Sequence, residues 1–129
     1  MLEIKHLSRT KLPSLPYEQI ATEALGRDFD VSLVTIGNIR SRTLNRTHRG
    51  KDRATNVLSF PLDKQSGEMF LDLQVLKKEA LREGQSYRHY TLYIFIHGLF
   101  HLAGHDHGRI MENKEKKLLD SWLAKLSQP

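Results

Sequence analysis

Apolar and polar positions alternate loosely at the start of the chain, over Leu2 to Leu7, and this predicts a first strand. Tyr17 to Leu25 reads as a helix, with Ser14 or Leu15 near the cap, Pro16 in the first turn and Gly26 just past the end. Phe29, Val31, Leu33, Val34 and Ile36 form a β-rich run closed by Gly37. Asn38 is then placed to cap a helix carrying Ile39 and Leu44, since its side-chain oxygen can accept from a first-turn N–H. Asn56 to Phe60 predicts a short strand stopped by Pro61. Asp63 to Gly67 is turn-like, and Met69, Phe70, Leu71 and Leu73 predict another strand.

From Leu73 the period changes. Leu73, Leu76, Ala80 and Leu81 share one helical face, Lys77, Lys78, Glu79, Arg82 and Glu83 the other, and Gly84 is a stop. A long, mostly apolar helix follows from Ser86 or Tyr87 to Ala103, ended by Gly104. A last amphipathic helix, from about Glu112 to Leu126, buries Leu118, Leu119, Trp122, Leu123 and Leu126. Strands come early and helices late. That order predicts an α+β fold, a small mixed β-sheet of about four strands covered by about five helices, rather than a regular doubly wound sheet.

Composition places this pattern in one domain spanning 1–129, since 129 residues is within the usual size of one domain and short for two. A hydrophobic share of 39% and a charged share of 27% are those of an ordinary globular protein and argue against disorder. The net charge of +5 favours polyanionic partners such as nucleic acid. Cysteine is absent, so disulfides, thiolate metal sites and cysteine nucleophiles are excluded together. Glu3, Lys5, His6 and Arg9 leave no apolar signal-peptide core near the start. The most hydrophobic stretch, Tyr90 to Ala103, is broken by His97 and His101 and is shorter than the ~20 residues of a bilayer span. A cytoplasmic protein is expected.

Four of the seven histidines, His97, His101, His105 and His107, fall within eleven consecutive residues. On a helix, His97 and His101 point the same way one turn apart, so both can reach one cation at the ~2.0–2.1 Å that zinc requires of imidazole. Gly104 can end the helix in a left-handed conformation and turn the chain back, which brings His107 in as a third ligand. Three neutral imidazoles leave a coordination position open, the mark of a catalytic rather than a structural zinc site. The bland alternative is a helix that happens to carry histidines. His105 reads best as an exposed loop side chain. Asp106 either orients an imidazole through its free N–H or caps the turn.

The spacing is similar to the metzincin protease pattern His-Glu-x-x-His-x-x-Gly-x-x-His, so a metzincin-like metal-site helix is expected. The glutamate position is Gly98 here, however, and that glutamate is the proteases' general base. The metal site survives the comparison; peptide hydrolysis does not.

The run from His97 to His107, HGLFHLAGHDH, closely resembles the signature His-Gly-x-x-His-Leu-x-Gly-x-Asp-His of the YbeY family of bacterial rRNA maturation endoribonucleases. A second segment, Leu44 to Pro61, resembles that family's Leu-Asn-x-x-(Tyr/Phe)-Arg-x-Lys-Asp-x-x-Thr-Asn-Val-Leu-Ser-Phe-Pro. The resemblance implies one zinc ion on His97, His101 and His107, and a cleft where Arg49 faces the metal. It further implies metal-dependent cleavage of single-stranded RNA, in cytoplasmic rRNA processing and ribosome quality control, with ribosomal subunits or proteins as partners. The chain departs from the pattern at His48 and His105, where the family often has Tyr or Phe, and at Glu68, where Asp is usual.

Among the cations, Arg49 suits an RNA phosphate because its guanidinium gives two parallel charge-assisted hydrogen bonds, where Lys51 supplies a point charge. His97 and Arg49 are thus the expected catalytic residues. Arg46, Arg49, Lys51 and Arg53 are expected to bind RNA, within a cluster that also holds Arg40 and Arg42 and has Asp52 as its one carboxylate. An exposed surface position is the plain alternative for Arg49. Thr55, Asn56 and Ser59 are read as securing strand ends, and the lysines of 114–117 as a wet helix face. Water and an RNA 2′-hydroxyl both stay open as nucleophile. The competing functions are a non-catalytic zinc-containing ribosome-assembly factor and a metallohydrolase of another phosphoester or amide.

Overall fold

The computed structural model describes residues 1–127, so the last two positions of the expected 1–129 span lie outside the described residues. The elements run β1 (Leu2–His6), α1 (Tyr17–Leu25), β2 (Asp30–Ile36), α2 (Asn38–Arg49), β3 (Val57–Asp63), β4 (Ser66–Asp72), α3 (Leu73–Arg82), α4 (Tyr87–Leu102) and α5 (Arg109–Leu126). The four strands form one sheet in the order β1-β2-β4-β3. β1 and β2 are parallel, β2 and β4 are parallel, and β3 runs antiparallel to β4. This is the mixed sheet and five-helix α+β architecture that the element order predicts.

Alternation along the strands divides the core. Val31, Leu33, Met69, Leu71 and Val57 join the main cluster with α1, α3, α4 and α5. Val34, Ile36 and Leu58 are buried outside that cluster, on the sheet's other face, where α2 lies against β4. Helix α4 is the centre of the molecule: it packs on β3 and β4 and touches α1, α3 and α5. Its apolar residues face inward nearly all round, as expected for a helix surrounded by other elements.

Several boundaries differ from the sequence reading, each for a physical reason. β3 does not stop at Pro61 but continues to Asp63, with Pro61 opposite Gly67 and a register shift beyond it. β3 is an edge strand of the sheet, where a residue without an N–H is tolerated. Gly37, not Asn38, is the cap position of α2; Asn38 is already helical, and its amide turned toward Asp72 donates to Oδ2 at 2.7 Å. Asp72 is fully buried and caps α3 by accepting from the N–H groups of Gln74 and Val75. Leu81 does not share the buried face of α3 and stays 84% exposed. α5 begins at Arg109, three residues earlier than its apolar pattern showed, because Met111 docks in the core.

Two glycines set how α4 meets the sheet. A Cβ on Gly98 would stand 2.8 Å from Met69 Cε and 3.1 Å from Ser59 Oγ, and Ser59 Oγ in turn donates to the Gly98 carbonyl at 3.0 Å. A Cβ on Gly67 would meet a Leu102 methyl at 2.6 Å. Bare backbone at both places lets the helix lie close on β3 and β4.

Candidate metal centre

The third glycine of consequence ends α4. Gly104 has φ +86°, a conformation that costs other residues strain, and the N–H of His105 returns to the Phe100 carbonyl at 3.1 Å. The chain doubles back, and His107 reaches the two helical histidines. His97 Nε2 and His101 Nε2 lie 3.0 Å apart, and ligand nitrogens of all three residues fall within 4.8 Å of one another. Ring centroids are separated by 4.6, 4.7 and 5.2 Å. Nitrogens held at ~2.0–2.1 Å by one tetrahedral ion stand about 3.3 Å apart, so the cluster fits a single metal ion.

The other face of His97 confirms its orientation. Glu115, from α5, meets His97 Nδ1, which leaves Nε2 directed into the cluster. Sequence reading offered Asp106 for this kind of role, but Asp106 is exposed; the carboxylate comes from the next helix. Glu115 is 7% exposed, though it sits among Lys114, Lys116 and Lys117 in the stretch read as a wet face. Its signal was its phase: Met111, Glu115, Leu118, Leu119 and Trp122 share one stripe of α5. Burial pushes the Glu115 carboxyl above its usual range, the nearby His107 opposing.

Electrostatics keep the two helical imidazoles neutral. Burial, with His97, His107 and Arg49 adding to it, pushes His101 down to about 4, and burial, His107 and Arg49 lower His97 as well. A neutral imidazole at pH 7 keeps the lone pair that a metal needs. His105 is half-buried rather than exposed, with its ring 5.9 Å from that of Phe100 and Nε2 3.3 Å from Lys114 Nζ, and it takes no part in the cluster.

The three histidines line a cleft of about 320 Å³, whose walls also include Arg49, Asn56, Val57, Ser59, Tyr90, Tyr93 and Ile94. Arg49 gets there because α2 ends immediately after it: Gly50, at φ +68°, bonds back to the carbonyls of Arg46 and Asn45. The loop from Gly50 to Asn56 is stapled to α2. Ser41 Oγ accepts from the Thr55 N–H at 2.8 Å and donates to the Thr55 carbonyl, and Asn45 Nδ2 donates to the Arg53 carbonyl at 3.0 Å. Asn56 Nδ2 donates to Glu79 Oε1 at 2.9 Å. Thr55, Asn56 and Ser59 thus secure the segment, and the last two face the cleft as well.

The basic cluster is less uniform than its composition. Asp52 accepts from Arg42 in a bidentate pair at 2.7 and 2.9 Å and from Arg46 at 3.4 Å. Lys51 and Arg53 are exposed on the loop and line no wall of the cleft. His48, the departure beside Arg49, packs its ring on Phe60 at 4.7 Å, and Phe60 meets Phe70 at 5.8 Å.

A mixed sheet backed by a central helix, with two histidines on that helix and a third on the loop beyond it, is an α+β fold with a three-histidine cluster that could hold a metal ion. Comparison with known proteins makes the class specific. Residues 5–123 match the family described as Endoribonuclease YbeY, and the chain belongs to that family. It is 35% identical over 113 residues to the Endoribonuclease YbeY of Aromatoleum aromaticum, covering 84% of this chain and 73% of that one. Against the Pseudomonas putida protein of the same name it is 32% identical over 120 residues, covering 86% and 76%. Among eight such relatives the alignments span from 61% to 76% of the relative's length. The solution structure of TM1509 from Thermotoga maritima matches with a TM-score of 0.67 at 26% identity, over 97% of this chain and 93% of that one. No helix among the described residues is long and apolar enough to cross a membrane.

Proposed function

We propose that residues 1–129 act as one zinc-dependent endoribonuclease domain that prefers single-stranded RNA and works in cytoplasmic rRNA maturation and ribosome quality control, in contact with ribosomal subunits or proteins. The observation that carries this reading is the meeting of His97, His101 and His107 with Arg49 in one cleft of a YbeY-family chain. The three imidazoles hold the metal, and Glu115 fixes the ring of His97. When bound, zinc supplies Lewis-acid polarisation of a phosphoryl oxygen. Arg49 holds the same phosphate through charge-assisted hydrogen bonds and orients it against the histidine cluster. Arg46, Lys51 and Arg53 attract the flanking backbone without reading sequence, Arg46 more weakly because Asp52 already engages it.

Metal analysis of the native protein, with RNA cleavage measured in parallel, tests this reading. One zinc per chain and cutting of unstructured RNA are expected. His101→Ala should lose both, whereas Arg49→Ala should keep the zinc and lose cutting by about a hundredfold, the scale of one lost charged transition-state contact. Full cleavage by metal-replete Arg49→Ala would remove that residue's role. Zinc binding without RNA cleavage would favour an assembly factor, and hydrolysis of small phosphoesters alone another metallohydrolase.

A further inference from the structure

We propose that Tyr93 stacks a nucleobase of an unpaired RNA strand beside the histidine cluster, so that the cleft accepts only strands whose bases are free to leave their own partners. This deepens the RNA-cleaving reading above and rests on it.

The placement comes from α4 itself. Tyr90, Tyr93, Ile94, His97 and His101 fall at i, i+3, i+4, i+7 and i+11, one face of a helix, and line the cleft as one stripe. Tyr93 therefore stands one turn before His97, about 6 Å along the axis at 1.5 Å per residue. Along α4 the lining changes character: His97 and His101, with Arg49 near both, follow Tyr90, Tyr93 and Ile94 by one to three turns. A nucleotide has the same division, an anionic phosphate joined to a flat, largely apolar base.

Tyr93 is also the tyrosine the fold does not use. The hydroxyl of Tyr17 donates to the Pro13 carbonyl, that of Tyr87 to the Lys11 carbonyl, and that of Tyr90 to Glu79 Oε1. The Tyr93 hydroxyl has no partner among the described residues, and its ring is half-buried, 6.0 Å from the Tyr90 ring and tilted by 59°. Tyr90 is buried and tied to Glu79, so it backs the platform while Tyr93 offers the face.

Charge decides which part of the nucleotide sits there. Burial raises the Tyr93 phenol, and Glu115, Glu112 and Glu83 raise it further. Glu112 and Glu83 disfavour a phosphate beside this ring and leave the uncharged base as the group that fits. Stacking is tolerant of base identity, because every base has a π-face, but a base inside a duplex cannot reach the ring.

The test uses the zinc-loaded protein and a single-stranded RNA carrying one 2-aminopurine, with fluorescence read by stopped flow within the first turnover. Quenching is expected with wild type and with Tyr93→Phe, which keeps the ring. Tyr93→Leu should lose the quench and raise KM about tenfold with kcat within about twofold, because the contact binds substrate and transition state alike. It should also narrow the preference for single strands over duplex, with zinc content unchanged. An undiminished quench and KM in Tyr93→Leu would overturn the proposal while leaving the nuclease intact. Should that variant fail to fold, loss of quenching in Tyr93→Phe would overturn it equally. Wild-type protein that neither binds nor cuts RNA would overturn the parent reading instead.

Discussion

Glu115 shows how much of a metal site can depend on a residue that never touches the metal. Its carboxylate is buried and held against His97 Nδ1, so the ring's other nitrogen is committed to the cluster. Removing such a partner usually lowers metal affinity by ~10–100-fold. Glu115→Ala should show a loss of that size in zinc competition against a chelator, and Glu115→Gln, whose side-chain oxygen still accepts, a smaller one. Equal affinity in all three proteins would mean that the packing of α4 orients His97 without help. At this scale the sequence was most legible where chemistry and spacing coincide. His97, His101, Gly104 and His107 lie within one short segment, and three of the four side chains needed for the site could be read there. Glu115 was hidden by the lysines around it, because charge along the chain says little about which side of a helix a residue faces.

Among the elements, α4 carries both the core and the site, and Gly98 lets it do so. The position that would hold the protease glutamate is pressed against Met69 and Ser59, and a side chain fits there only if the end of Met69 shifts. Gly98→Ala should destabilise the protein by about 1–3 kcal/mol, as overpacking of a tight core does. A shift of the urea midpoint measures it; no change would mean that Met69 swings aside freely. The strands and helices themselves were foreseeable from periodicity. What failed was tertiary in origin: Pro61 is tolerated because β3 became an edge, Asn38 faces Asp72 because α2 and β4 meet, and Leu81 is exposed because no element covers that side of α3.

For the whole molecule, the net charge of +5 overstates what an RNA strand would meet beside the cleft. Asp52 takes up Arg42 and Arg46, while Arg40, Arg49, Lys51 and Arg53 have no carboxylate partner among the described residues. With about four cations in contact and ~0.7 counterions released per phosphate of a single strand, log affinity should fall against log salt with a slope near −3. A slope near zero would remove the basic face from the binding account. The sequence by itself determined the class of fold, the three imidazoles and the turn that gathers them, because each follows from a local period or a glycine's conformational freedom. The family resemblance implied Arg49 beside those imidazoles, but only the tertiary structure showed the faces that bring it there, that Glu115 braces one of them, and that Tyr93 is left uncommitted in the cleft. Those outcomes depend on which faces of α2, α4 and α5 are turned toward each other, and packing sets that, not any stretch of the chain read alone.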